Sequence, residues 1–167
     1  MARYGRRTGR KRGQWPALAA GALLALAVGH ARADEALVPY RVVDGEIPEP
    51  LTGRPGDPAR GRAIAAGREG NCLACHRMPI PEEEFHGDVG PDLAQVGDRL
   101  SEGQLRLRLV DPKRVKEDTV MPAFHVVDRL ERVAQRYRGR PILGAQQVED
   151  VVAYLKTLGH AGEGGAR

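Results

Sequence analysis

Two thiols and an imidazole stand together at Asn71-Cys72-Leu73-Ala74-Cys75-His76. Cys-x-x-Cys-His is the attachment signal for c-type haem. Residues three and four apart share one face of a helix, so a helical motif would aim Cys72, Cys75 and His76 at one flat object. The thiols can add to the two haem vinyl groups, and His76 can then serve as an axial ligand to the iron. A four-cysteine zinc site needs a second cysteine pair, but Cys72 and Cys75 are the only two cysteines. A thioredoxin-like dithiol would open a helix in a βαβ pattern, which is absent here. A structural disulfide would not call for His76 immediately after Cys75.

An iron bound by His76 has one axial position left, and methionine sulfur is a common occupant. Met1 falls within a leader described below, and Met78, two residues from His76, is too close in sequence to reach the opposite face of a haem. Met121, in Val120-Met121-Pro122-Ala123, is 45 residues beyond His76 and is followed by a stiffening proline. Met121 is the expected second ligand, and His125 is the alternative. An ordinary buried methionine is the structural reading of Met121. His86 and His160 read as surface residues. A ligating histidine needs an acceptor for its other ring nitrogen, and the turn Gly90-Pro91 offers the Pro91 carbonyl to His76.

The elements that must position these groups follow from periodicity and caps. Residues 1–33 carry basic residues near the start, an apolar Leu/Ala run from Ala17 to Val28, and the small-x-small site Ala31-Arg32-Ala33. They read as a cleaved secretory signal peptide, with the cut before Asp34. An uncleaved anchor is the alternative, although the apolar run is short for a membrane span. Seven of the 26 basic residues and none of the 22 acidic ones lie in this leader, so the remaining 134 or so residues carry about −3. The basic whole-chain balance therefore gives no argument for nucleic-acid binding. Aromatic residues make up 4% of the chain, thin for a core of this size; a haem would supply flat apolar mass.

Residues 34–56, broken by Pro39, Pro48, Pro50 and Pro55, read as an extended arm that packs on its own domain or on a partner. A first helix starts with Asp57 as cap and Pro58 at its first position, and continues from Ala59 to Arg68. Gly61 inside it would let another helix come close, with Tyr154 placed to meet it. Ser101-x-x-Gln104 is a capping box that opens a middle helix ending at Asp111-Pro112. Arg106 and Arg108 are expected to face solvent. Glu82-Glu83-Glu84 reads as a solvated face. Leu130, Val133, Ala134 and Tyr137 hint at a short helix over 128–138; its arginines read as a solvated face, with an acidic partner or anionic substrate as the alternative. The last helix spans about Ala145 to Leu158, with an apolar stripe of Val148, Val151, Val152, Leu155 and Leu158. Residues 161–167 are a Gly-rich tail, leaving 57–160 as one domain.

This order of elements resembles class I cytochrome c, which implies a small all-α domain around one covalent haem, with the first and last helices crossing beside it. The runs 50–62, 70–76, 100–110, 121–124 and 145–155 further resemble the SoxX family of monohaem cytochromes. Arg129 stands where that family is expected to have glycine. The resemblance implies a heterodimer with SoxA, a haem protein carrying a cysteine-ligated haem, and puts the reactive cysteine on that partner. The complex would join thiosulfate oxidatively to a cysteine of the carrier SoxYZ, as an L-cysteine S-thiosulfotransferase in the periplasm. Electrons would leave through this chain to a c-type cytochrome. A free-standing electron shuttle and an open-site haem sensor or enzyme are the other functional classes.

Overall fold

A computed structural model describes residues 37–128, 132–135 and 138–159. The leader 1–33, the first residues of the arm, Arg129, Leu130, Tyr137, His160 and the tail 161–167 lie outside the described residues. Among the described residues four α-helices follow in order: α1 Pro58–Ala66, α2 Val96–Arg99, α3 Glu102–Val110 and α4 Ala145–Thr157. Single 3-10 turns stand at Cys72–Ala74 and Pro112–Arg114. The described residues contain no strand, only an isolated bridge between Val43 and Glu46. Asp44 (φ 49°) and Gly45 (φ 79°) turn the chain between them, both central residues being left-handed as a tight hairpin requires.

The Asp57 carboxylate caps α1, accepting from the amides of Ala59 at 2.9 Å and Arg60 at 3.2 Å. Pro58 costs nothing there because its missing N–H would have been unpaired. Helix α1 buries only Gly61 and Ala65, so it holds to α4 by close backbone approach. A Cβ on Gly61 would stand 1.9 Å from the Asp150 carbonyl oxygen and 2.9 Å from Tyr154 Cβ. Asp150 fastens the crossing from α4, accepting from Arg60 Nε at 2.9 Å and from the Asp57 amide at 2.8 Å. Burial works to raise the Asp150 carboxyl, but the bonds from Arg60, the Asp57 amide and Gln146 outweigh it and hold the group below its ordinary value.

Helix α3 has the full reciprocal box: Gln104 N–H donates to Ser101 Oγ at 3.0 Å, and Ser101 N–H to Gln104 Oε1 at 3.1 Å. The expectation that Arg106 and Arg108 face solvent is wrong. Arg106 is 1% exposed. Its guanidinium donates twice to Glu149, at 2.7 and 2.9 Å, and to the Ile47 carbonyl at 2.7 Å. Arg108 is half-buried and donates to the Gln104 carbonyl. For Arg106 the reason lies in the arm, whose Ile47 it bonds and which covers a face of α3 that would otherwise meet water.

The arm packs on its own domain, burying Ile47 and Leu51 in the core. The six buried polar side chains among the described residues are Arg106, Asp111, His125, Gln146, Glu149 and Asp150. Every one of them bonds to the segment 38–57. Val38 N–H donates to His125 Nε2, and the Tyr40 hydroxyl to Asp111. Arg106 reaches Ile47, and Leu51 N–H donates to Glu149 at 2.8 Å. Gln146 bonds Thr52 and Pro55, and Asp57 N–H donates to Asp150. The segment 38–57 therefore gives each of these buried side chains at least one hydrogen bond.

Two further differences stand against the periodicity reading. Helix α2 was not anticipated; it is four residues long and is held from α4, with the Gly97 amide donating to the Leu158 carbonyl at 2.7 Å. Among the described residues of 128–138, Arg132 takes φ 56° and no helix runs continuously through 132–135.

Glu149→Ala strands the Arg106 charge without its carboxylate and frees the Leu51 amide. It is expected to cost about 3–5 kcal/mol in guanidinium unfolding of the holoprotein. Replacing Arg106 by Leu and Glu149 by Met together should cost far less, and equal losses in the two proteins would contradict the role given to this pair.

Candidate haem site

The backbone ahead of the cysteines is turned by Asn71, which takes the left-handed conformation at φ 48°. Gly70 N–H donates to the Ile64 carbonyl and Asn71 N–H to that of Gly67, anchoring the turn to the end of α1. Cys72, Cys75 and His76 were expected on a helix; they sit on a single tight turn. The amides of Cys75 and His76 both donate to the Cys72 carbonyl, at 3.1 and 3.0 Å. One turn is enough to bring side chains three and four apart to one side. Buried Leu73 pins it from below.

Both thiols are free and half-buried. Burial pushes the Cys72 thiol up to about 11. A redox dithiol is activated by the opposite shift, so Cys72 stays a neutral thiol. Among the described residues no cluster of three or more His, Cys, Asp or Glu could hold a metal ion, which leaves zinc without a ligand set.

His76 Nδ1 lies 2.7 Å from the Pro91 carbonyl oxygen. That oxygen only accepts, so Nδ1 carries the proton and Nε2 keeps its lone pair for a ligand bond. Gly90 lies flat against the ring: a Cβ there would be 2.3 Å from His76 Cε1 and 2.6 Å from Nδ1. The sequence pointed to the Pro91 carbonyl but not to this use of Gly90. The turn is held in place by Gly90 N–H donating to the Cys75 carbonyl at 2.8 Å and Leu93 N–H to that of Arg77 at 3.0 Å.

Cys72, Cys75 and His76 line a cavity of about 520 Å³, and Met121 lines it too, with Leu109, Phe124, Val151 and Leu155 among its apolar walls. A further lobe of about 410 Å³ shares His76, Leu93, Leu109, Met121 and Leu155. Such volumes fall in the range of small-molecule and cofactor sites, about 300–1,000 Å³. Met121 is half-buried, and its amide donates to Thr119 Oγ1 at 3.2 Å. Just beyond it, Phe124 N–H donates to the Leu109 carbonyl at 2.9 Å, fixing the loop to α3.

The competing ligands are placed elsewhere. His125 is 1% exposed, and both ring nitrogens are engaged: Nδ1 lies 2.9 Å from the Leu143 carbonyl and Nε2 accepts from Val38 N–H. Met78 is buried in the core outside the cavity lining, and His86 Nδ1 accepts from the Met78 amide. The donors gathered here are two thiols, one imidazole nitrogen and one thioether in an apolar cleft. They suit an iron porphyrin, which needs covalent anchorage, soft axial ligation and dry walls.

The chain matches the family model for Cytochrome c over residues 58–159. It is similar to the crystal structure of SoxXA from P. pantotrophus, at 42% identity and a TM-score of 0.66, covering 71% of this chain and 93% of that one. No curated protein matches the sequence. Among the described residues no helix is long and apolar enough to cross a membrane. With the helical architecture of its described residues and these matches, the chain belongs to the class I cytochrome c family, whose members carry covalently bound haem, and within it to SoxX.

Proposed function

We propose that this chain is an exported monohaem cytochrome that serves as the electron-transfer subunit of a SoxAX complex. The observation that carries the reading is the single cavity shared by Cys72, Cys75, His76 and Met121. When bound, haem supplies a one-electron iron couple. Cys72 and Cys75 anchor it through thioether links. His76 offers Nε2 to the iron while Nδ1–H, donated to Pro91, fixes the ring and raises its basicity. Met121 would hold the iron together with His76, and its sulfur would favour the reduced state, which suits electron transfer. Leu109, Phe124, Val151 and Leu155 exclude water from the cleft.

Similarity to a SoxXA structure supports a heterodimer with a SoxA haem protein. The complex couples thiosulfate oxidatively to a cysteine of the carrier SoxYZ, the activity of an L-cysteine S-thiosulfotransferase. Both cysteines of this chain are taken up by haem anchorage, so the reactive sulfur belongs to SoxA. The two electrons released pass through this chain to a c-type cytochrome. Residues 1–33 direct export to the periplasm and are removed before Asp34, leaving the arm and the domain 57–160.

Co-purification from the native periplasm, with haem counted per complex, tests the assembly; a lone cytochrome with no second haem protein would refute it. The purified chain is expected to keep one haem on a denaturing gel and to lose it when Cys72 and Cys75 are both changed to alanine. In the ferric protein a low-spin spectrum with a sulfur-to-iron charge-transfer band is expected. Met121→Ala should give a high-spin, ligand-accepting haem, and a wild-type spectrum from it would remove Met121 from the ligand set.

Gly90→Ala drives a methyl into the His76 ring. It is expected to cost about 1–3 kcal/mol and to disturb the axial spectrum. Gly53→Ala, where an added Cβ meets nothing within 4 Å, should do neither.

A further inference from the structure

Arg108 is a half-buried cation on α3 that no carboxylate of the chain accompanies among the described residues. Burial pulls its guanidinium below the ordinary arginine value. Its one hydrogen bond among the described residues runs to the Gln104 carbonyl of its own helix, at 3.0 Å. A guanidinium has five N–H donors, so most of them are left for another acceptor. Arg106, two positions back on the same helix, shows the contrast, because Glu149 pairs with it at 2.7 Å. Charged side chains leave water rarely unless they are paired, so the setting of Arg108 calls for an anion.

What Arg108 faces is the cleft of the candidate haem site. Its two lobes share His76 and Met121. Cys72 and Cys75 line the first lobe and not the second, and Arg108 lines the second and not the first. The imidazole and the thioether therefore stand between a thiol end and a guanidinium end. A haem is divided the same way, with its two vinyl groups in one half of the ring and its two propionate carboxylates in the other. Vinyl groups held at Cys72 and Cys75 send the carboxylates toward the second lobe. Arg99 and Lys116 also line that lobe, but both are exposed. Arg99 donates to the carbonyls of Gln95 and Asp92, and Lys116 is paired with Asp118 at 3.7 Å.

We infer that Arg108 is the carboxylate anchor of this site: its guanidinium binds a haem propionate at the end of the cleft away from Cys72 and Cys75, and its charge raises the reduction potential of the iron. The inference rests on the haem reading above. Guanidinium suits the task because its planar fork gives a carboxylate two parallel hydrogen bonds. The effect on potential follows from Coulomb's law, since ferric haem carries one more positive charge than ferrous and a fixed cation nearby disfavours it.

The test is made on purified holoprotein, by redox titration and by resonance Raman spectroscopy of the propionate bending band. R108Q is expected to move that band and to shift the one-electron equilibrium about tenfold toward the ferric state, a fall of about 59 mV. R108K keeps the charge and loses the fork. It should move the band as well but lower the potential by less than half as much, which loss of packing alone would not produce. R41Q removes one exposed charge of the arm and should change neither reading. A wild-type band and potential in both Arg108 variants would overturn the anchor, and so would an equal fall in R41Q. Haem kept on a denaturing gel and an intact sulfur-to-iron band in each variant separate that result from a failure of the haem reading.

Discussion

The Glu149 carboxylate holds three parts of the molecule at once. It takes two hydrogen bonds from Arg106 of α3 and one from the Leu51 amide of the arm, while it stands on α4. A buried ion pair adds little to stability by itself, since desolvation offsets most of the attraction. Its effect here is geometric. Neither charge tolerates loss of its partner, so α3, α4 and the arm keep one relative arrangement. The opposite side of α4 contributes Val151 and Leu155 to the cavity. One helix therefore carries a polar seam outward and a dry wall inward.

The same economy applies at the His76 imidazole. Pro91 fixes which nitrogen carries the proton, and Gly90 fixes the ring plane, both from one turn. That turn is tied back to the cysteine segment through Cys75 and Arg77. The His76 ring is thus oriented by a closed backbone circuit that needs no other side chain.

Much of this was legible in the sequence, where local chemistry decides the outcome. The Asp57-Pro58 start, the Ser101–Gln104 box and the apolar stripe of α4 read directly because caps and period are short-range properties. The spacing of Cys72, Cys75 and His76 pointed to the chemistry, although the turn they occupy is shorter than the helix expected. Elimination among the methionines pointed to Met121, and the fold brings it to the cavity of His76. The failures share a cause. Arg106 was placed in solvent because an isolated α3 would leave it there, and nothing near it in sequence announces Ile47 or Glu149. Helix α2 is too short to show a period, and its hold on Leu158 is a tertiary contact. The arm was ambiguous for the same reason: its partners lie 55 to 98 residues away.

That separation has a consequence for how the chain comes together. Val38 waits for His125, Leu51 for Glu149 and Asp57 for Asp150, across 87, 98 and 93 residues. Loop closure over such spans is slow compared with forming a single helix. In a chain made from its N-terminus, Leu51 and Asp57 stay unfastened until α4 has been made. Through that interval the cysteine turn stays reachable, and α4, whose Val151 and Leu155 wall its cavity, is the element that shuts the door.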